Sequence, residues 1–173
     1  MKIDWNKVYT FVIDIKTLNR ARDIHQIFKK RGIVNYVYMI KCNGIVVKYG
    51  LSVDKNSDHG ERIYRQIGHA KFWAARRLDG DSGRDFRRVE ELFTDQYGIE
   101  ITQNNLTVEV WDFTNYPFMT TEKEKEIENA EQELINTYMK ITGKAPVGNL
   151  SVKKNYNRRG FVMTDHLDTL FDS

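Results

Sequence analysis

The hydrophobic pattern changes period several times along the chain, and each change marks an element. Between residues 5 and 30, Val8, Val12, Ile15, Leu18, Ile24, Ile27 and Phe28 recur at mostly helical spacing and stop at Lys29, Lys30 and Gly32. That spacing predicts one or two opening helices. "VNYVYMIKCNGIVVKYGLS" then sets two β-branched and aromatic runs around Cys42, Asn43 and Gly44, a strong hairpin signal. Residues 53–60, "VDKNSDHG", read as a polar loop. From Glu61 the pattern is helical to about Leu78, with Gly68 as an interruption, and "DGDSG" separates a further helix from about Arg84 to Tyr97. "LTVEVWDF", 106–113, alternates as a strand does. After Pro117, Thr121 and Glu124 stand at capping-box spacing, and a long helix runs to about Thr142, before Gly143 and Pro146. The sum is an α+β fold in which a small antiparallel three-stranded sheet, the hairpin plus one later strand, is flanked by helices.

Composition narrows the setting. A chain of 173 residues with 40% hydrophobic and 12% aromatic content suits a single domain with a real core. One cysteine, Cys42, excludes an intramolecular disulfide framework and a cysteine-rich zinc site, and fits a reducing compartment. Charges interrupt every apolar stretch, so no membrane partner and no secretory segment are expected, and the expected location is cytoplasmic. The net charge of +3 permits a polyanionic partner without specifying one.

Two charged residues sit where apolar ones are expected. Lys48 interrupts "IVVKYGLS", residues 45–52. A two-residue turn at Asn43 and Gly44 would set Tyr38 opposite Tyr49 and turn Lys48 away, whereas a three-residue loop from Cys42 to Gly44 would oppose Tyr38 and Lys48. An edge-strand lysine that discourages aggregation is the plain alternative. In the last helix, Ile127, Ala130, Leu134, Tyr138 and Ile141 form a stripe, and Glu131 projects into it, whereas Glu124, Glu126, Glu128 and Glu133 mostly avoid it. A carboxylate among core-facing positions is costly unless a cation or hydrogen-bond donors meet it; a glutamate snorkelling from the stripe's margin is the plain alternative.

Four segments in order carry a resemblance. Tyr36-Val37-Tyr38 on the first hairpin strand, Lys48-Tyr49-Gly50 on the second, "GERIYRQIGH" on the next helix, and "EQELINTY" followed by "PVGN" resemble the motifs of the GIY-YIG nuclease family. The likeness spans residues 34–149, with 1–33 as an N-terminal helical extension and 150–173 as a basic tail of one nuclease domain. Tyr36 stands where the family has its first glycine. Lys48 replaces the second motif's tyrosine, and Tyr49 occupies the isoleucine slot.

The resemblance implies hydrolysis of a phosphodiester, which requires a deprotonated water and neutralised phosphoryl charge. It gives Tyr38 the role of general base or water-orienting group, with Lys48 lowering its pKa or holding the water; the shared face this needs selects the three-residue turn. Arg62, in the first helical turn, would grip the scissile phosphate, with Arg65 as the rival because its spacing to His69 matches the family's arginine-histidine pairing. His69 is a candidate proton shuttle or phosphate donor, and His59 a weaker one. Glu131 would hold a divalent metal, Mg2+ in first place and Mn2+ in second. Tyr36, Tyr49, Gly50 and Asn149 are supporting residues.

Basic residues indicate the partner. An insertion at about 71–105 carries Arg76, Arg77, Arg84, Arg87 and Arg88, and the tail carries Lys153, Lys154, Arg158 and Arg159, which suits contacts to the phosphates and grooves of double-stranded DNA. Balanced by Asp79, Asp81, Asp85, Glu90 and Glu91, the insertion also reads as a solvated face. The expected function is a stand-alone, sequence-specific endonuclease similar to the type II restriction enzymes of this family, acting as a homodimer or higher oligomer. The alternatives are a phage or mobile-element nuclease of relaxed specificity and a non-cleaving DNA-binding module.

Overall fold

The sheet is organised by the tight turn at Asn43 and Gly44. Both residues have positive φ, 51° and 80°, and Cys42 pairs directly with Ile45, so the hairpin closes on two residues and not on three. Asn-Gly tolerates these angles, and the resulting twist matches the flanking strands. The structure, a computed structural model, describes residues 2–56, 58–67 and 80–149, with the backbone alone over 80–87.

The fold is α+β, built on one antiparallel sheet of four strands and not the expected three. β1 (Tyr9–Asp14), β2 (Tyr36–Cys42), β3 (Ile45–Ser52) and β4 (Leu106–Asp112) lie in the order β1-β4-β2-β3. β1 replaces part of the expected opening helix. In "YTFVID" β-branched and aromatic residues crowd a helix but suit a strand. Phe11 and Ile13 turn towards the core, whereas Val12, which fitted the helical spacing, is 61% exposed. Of that region only α1 (Asp23–Arg31) is α-helical, closed as expected by Gly32 at φ 69°, with single 3-10 turns at Trp5–Lys7 and Ile15–Thr17.

Helices cover the two faces unequally. On one face Ile24 and Phe28 of α1, Ile63 and Ile67 of α2 (Glu61–Ile67), and Val89 and Phe93 of α3 (Gly80–Tyr97) pack with Tyr36, Tyr38 and Ile40. On the other, α4 (Lys123–Thr142) sets Ile127 and Ala130 against Val37 and Phe113, and Ile135 against Met39 and Tyr49. Each such fully buried aliphatic side chain contributes about 1.5–3 kcal/mol.

The buried stripe of α4 differs from expectation at two points. Ile135 joins it, and Ile141, near the helix end, is 79% exposed. The capping box does not form: Glu122 precedes the helix without a side-chain cap. Instead Glu126 turns back to accept from the Thr120 N–H at 2.9 Å and the Thr120 hydroxyl at 2.7 Å, which explains why this acidic residue is buried.

Candidate active site at the β3 edge

A bulge in β3 decides which side chains meet. Ile40 pairs with Lys48 but Lys41 pairs with Val46, so Val47 is an extra residue. Directly opposed residues share a face. Tyr38 lies opposite Gly50, and therefore Tyr36, Tyr38, Ile40, Lys48 and Gly50 all occupy one face, while Met39 and Tyr49 occupy the other. Tyr38 and Lys48 thus share a face, but through a two-residue turn plus an internal bulge. The expected three-residue turn is absent, and Tyr38 and Lys48 are diagonal neighbours.

Two glycines make room for these side chains. A Cβ on Gly50 would run into the ring of Tyr38, and one on Gly148 would strike the Lys48 side chain and the Val47 carbonyl. Gly50 therefore matters for space and not for backbone angle. Gly148 covers Lys48, whose exposure is only 8%. Asn149 follows directly: its Oδ1 accepts from the Tyr49 N–H at 2.9 Å and its Nδ2 donates to the Tyr49 carbonyl at 3.0 Å. On an edge strand this two-point contact occupies backbone groups that no further strand serves. Asn149 thus ties the segment after α4 to the β3 edge. Tyr49 packs beside Trp111 and Tyr138, at ring-centroid distances of 6.4 and 6.5 Å. It faces away from Tyr38 and does not replace the missing tyrosine.

Tyr38 is fully buried, and its hydroxyl donates to Gln66 Oε1 of α2 at 3.2 Å. Burial lifts its pKa well above the ordinary tyrosine value, opposed first by the positive charge of Arg62 and then by the bond to Gln66. Arg62 is the foremost cation acting on Tyr38, and Lys48 the foremost acting on Glu131. Burial raises the Glu131 carboxyl above its ordinary range, with Lys48 as the strongest opposing influence, then Glu128 raising it further and Arg62 lowering it. Tyr38, Lys48, Arg62 and Glu131, from β2, β3, α2 and α4, therefore form one electrostatic cluster.

The two arginines of α2 separate cleanly. Arg62 acts on Tyr36, Tyr38 and Glu131. Arg65 is exposed and forms an ion pair with Glu61 one turn earlier on the helix surface. His59 has positive φ, 47°, and stacks edge-on with His25, whose Nδ1 donates to the His59 carbonyl at 3.1 Å. Among the described residues, the His59 Nδ1 itself is buried with no hydrogen-bond partner.

Asp58 was missed at the level of sequence. It accepts from the Tyr36 hydroxyl at 2.5 Å and from the Arg62 N–H at 3.1 and 3.3 Å. Its charge also raises the Tyr38 pKa. The signal available was an Asp four residues before the helical arginine, a common helix-start feature, but nothing local linked it to Tyr36.

His69, Arg76, Arg77, Lys153, Lys154, Arg158 and Arg159 lie outside the described residues, as do the side chains of Arg84 and Arg87. Arg88 is exposed on α3, next to buried Val89. Among the described residues no three His, Cys, Asp or Glu side chains cluster as metal ligands. Glu131 is the carboxylate of this cluster, and an oxygen donor of that kind suits a hard cation such as Mg2+, which keeps several of its waters. No described helix is long and apolar enough to cross a membrane. No protein-family model, curated protein or solved structure matches the chain.

Proposed function

We propose that the chain is a metal-dependent, sequence-specific DNA endonuclease, GIY-YIG-like in its chemistry and similar to type II restriction enzymes. The observation that carries the reading is the cluster of Tyr38, Lys48, Arg62 and Glu131, drawn from four separate elements to one edge of the sheet. Their chemistry is complementary. Arg62 neutralises phosphoryl charge, and Glu131 holds the metal, which when bound polarises the phosphate and lowers the pKa of water. Tyr38, whose pKa burial raises further above the ordinary tyrosine value, orients the attacking water and does not act as a ready base. Lys48 is the foremost influence favouring the ionised form of the half-buried Glu131 carboxylate. A protein that only bound DNA would have no need to hold a carboxylate at this cost.

The partner is double-stranded DNA, contacted by the basic residues of the insertion and tail, and reading both strands calls for a homodimer or higher oligomer. The test is incubation with mixed plasmid and phage DNA in Mg2+. Discrete fragments support the reading; a smear indicates a nuclease of relaxed specificity; intact DNA despite tight binding indicates a non-cleaving module.

A further inference from the structure

Tyr36 occupies the position where the resembled family has glycine, and the resemblance assigns it no chemistry. Its ring is fully buried and meets Phe28 edge-on at a centroid distance of 4.9 Å. A phenylalanine would satisfy that packing. The hydroxyl does something more: it donates to Asp58 Oδ1 at 2.5 Å. The same carboxylate accepts the backbone N–H of Arg62, at 3.1 Å on Oδ2 and 3.3 Å on Oδ1. One side chain therefore joins the middle of the sheet to the first turn of α2.

The surroundings make this junction rigid. Gly60, between Asp58 and Arg62, has φ +81°, and a Cβ there would come within 2.9 Å of both Ile24 and Phe28. The loop is pressed onto α1 at the one residue type that fits. In its described turns α2 is seated by Ile63 and Ile67, one turn apart, and by Gln66, which is buried and accepts the Tyr38 hydroxyl at 3.2 Å. The Gln66 bond fixes the helix to β2 beyond its first turn, and the Asp58 bond fixes the first turn itself, where Arg62 lies. Arg62 is exposed, so its placement is set through its backbone and not by burial of its side chain.

We propose that Tyr36 and Asp58 are a positioning pair for Arg62, holding the first turn of α2 so that the guanidinium meets the scissile phosphate beside Tyr38. The proposal rests on the nuclease reading. Loss of the Tyr36 hydroxyl leaves Asp58 capping Arg62 but unanchored to β2, so the arginine gains freedom while Glu131, Lys48 and Tyr38 keep their neighbours.

The test is single-turnover cleavage by the full chain as wild type, Tyr36→Phe, Arg62→Lys and the double variant, with DNA binding measured separately. Tyr36→Phe is expected to slow cleavage about 10- to 100-fold, the cost of a misplaced catalytic group, with unchanged DNA binding. In the Arg62→Lys background it is expected to have no further effect, because the pair acts only through that arginine. Full-rate cleavage by Tyr36→Phe, or equal slowing in both backgrounds as a general structural defect would give, overturns the proposal. If Tyr36→Phe fails to fold, Asp58→Glu, which keeps the charge acting on Tyr38 but displaces the carboxylate from the Tyr36 hydroxyl and the Arg62 N–H, takes its place with the same two expectations and the same two contrary results. No cleavage by the wild type overturns the nuclease reading and this role with it, whereas wild-type cleavage with an insensitive Tyr36 overturns this role alone.

Discussion

Lys48 and Tyr38 share a face of the sheet because Val47 is an extra residue in β3. Without the bulge, the Asn43-Gly44 turn would set Tyr38 opposite Tyr49 and send Lys48 to the α4 side, since a one-residue shift reverses every side chain. The bulge restores the pairing of Tyr38 with Gly50 and carries Lys48 to the cluster. Bulges of this kind often re-aim a side chain beside a functional site.

The Lys48 charge should be legible in the pH dependence of cleavage. Burial raises Glu131, and Lys48 is the foremost influence lowering it. Activity that needs the carboxylate rises with pH through this raised value. Lys48→Met removes the opposing charge, so the acidic limb of a pH–rate profile moves to higher pH, while Lys48→Arg leaves it near the wild-type position. An acidic limb unmoved in Lys48→Met would contradict the coupling.

Stability should respond with the opposite sign. An acid whose folded pKa is raised is ionised at a cost, so stability falls as pH climbs from the ordinary carboxylate range through the raised value. The neutral isostere Glu131→Gln is therefore expected to be more stable than wild type at neutral pH, with the gap narrowing in acid. Urea denaturation at the two pH values measures it; equal neutral-pH stability would show that Glu131 bears no such cost.

Arg62→Ala and Arg65→Ala should diverge. Arg62 acts on Tyr38 and Glu131, and removing such a charge-stabilising donor costs about 100- to 1,000-fold in cleavage rate. Arg65 pairs with Glu61 on the helix surface, so its loss is expected to change the rate little. Single-turnover kinetics on both variants decides, and a larger loss from Arg65→Ala would reverse the assignment.

Gly50 and Asn149 make separate structural predictions. Gly50→Ala drives a methyl group into the Tyr38 ring and is expected to destabilise by about 1–3 kcal/mol. Asn149→Ala leaves the Tyr49 N–H and carbonyl without their partner, also at about 1–3 kcal/mol, with faster hydrogen exchange at the Tyr49 amide. Denaturation midpoints and the exchange rate of that single amide provide the readouts.

The hairpin, β4 and the long helix were legible in the sequence because their signals are local: two β-rich runs around Cys42, Asn43 and Gly44, alternation in "LTVEVWDF", and an apolar stripe ended by Gly143. The turn length was not, because the shared face of Tyr38 and Lys48 comes from the bulge and not from a three-residue loop. β1 was obscured because Val8, Val12 and Ile15 match a helical period by coincidence while "YTFVID" has strand composition. The bulge leaves no local mark, since Val47 is as apolar as its neighbours. Glu131 stood out as a charge within an apolar stripe. Asp58 did not, because its partner Tyr36 is 22 residues away and an acidic residue in a polar loop carries no signal of its own.

The most direct test of the nuclease reading compares wild type with Glu131→Gln on mixed plasmid and phage DNA in Mg2+, after confirming that both fold and bind DNA. The account predicts discrete fragments from the wild type and intact DNA from the variant. Equal cutting by both would remove Glu131 from the chemistry, and intact DNA with both would contradict the nuclease reading itself.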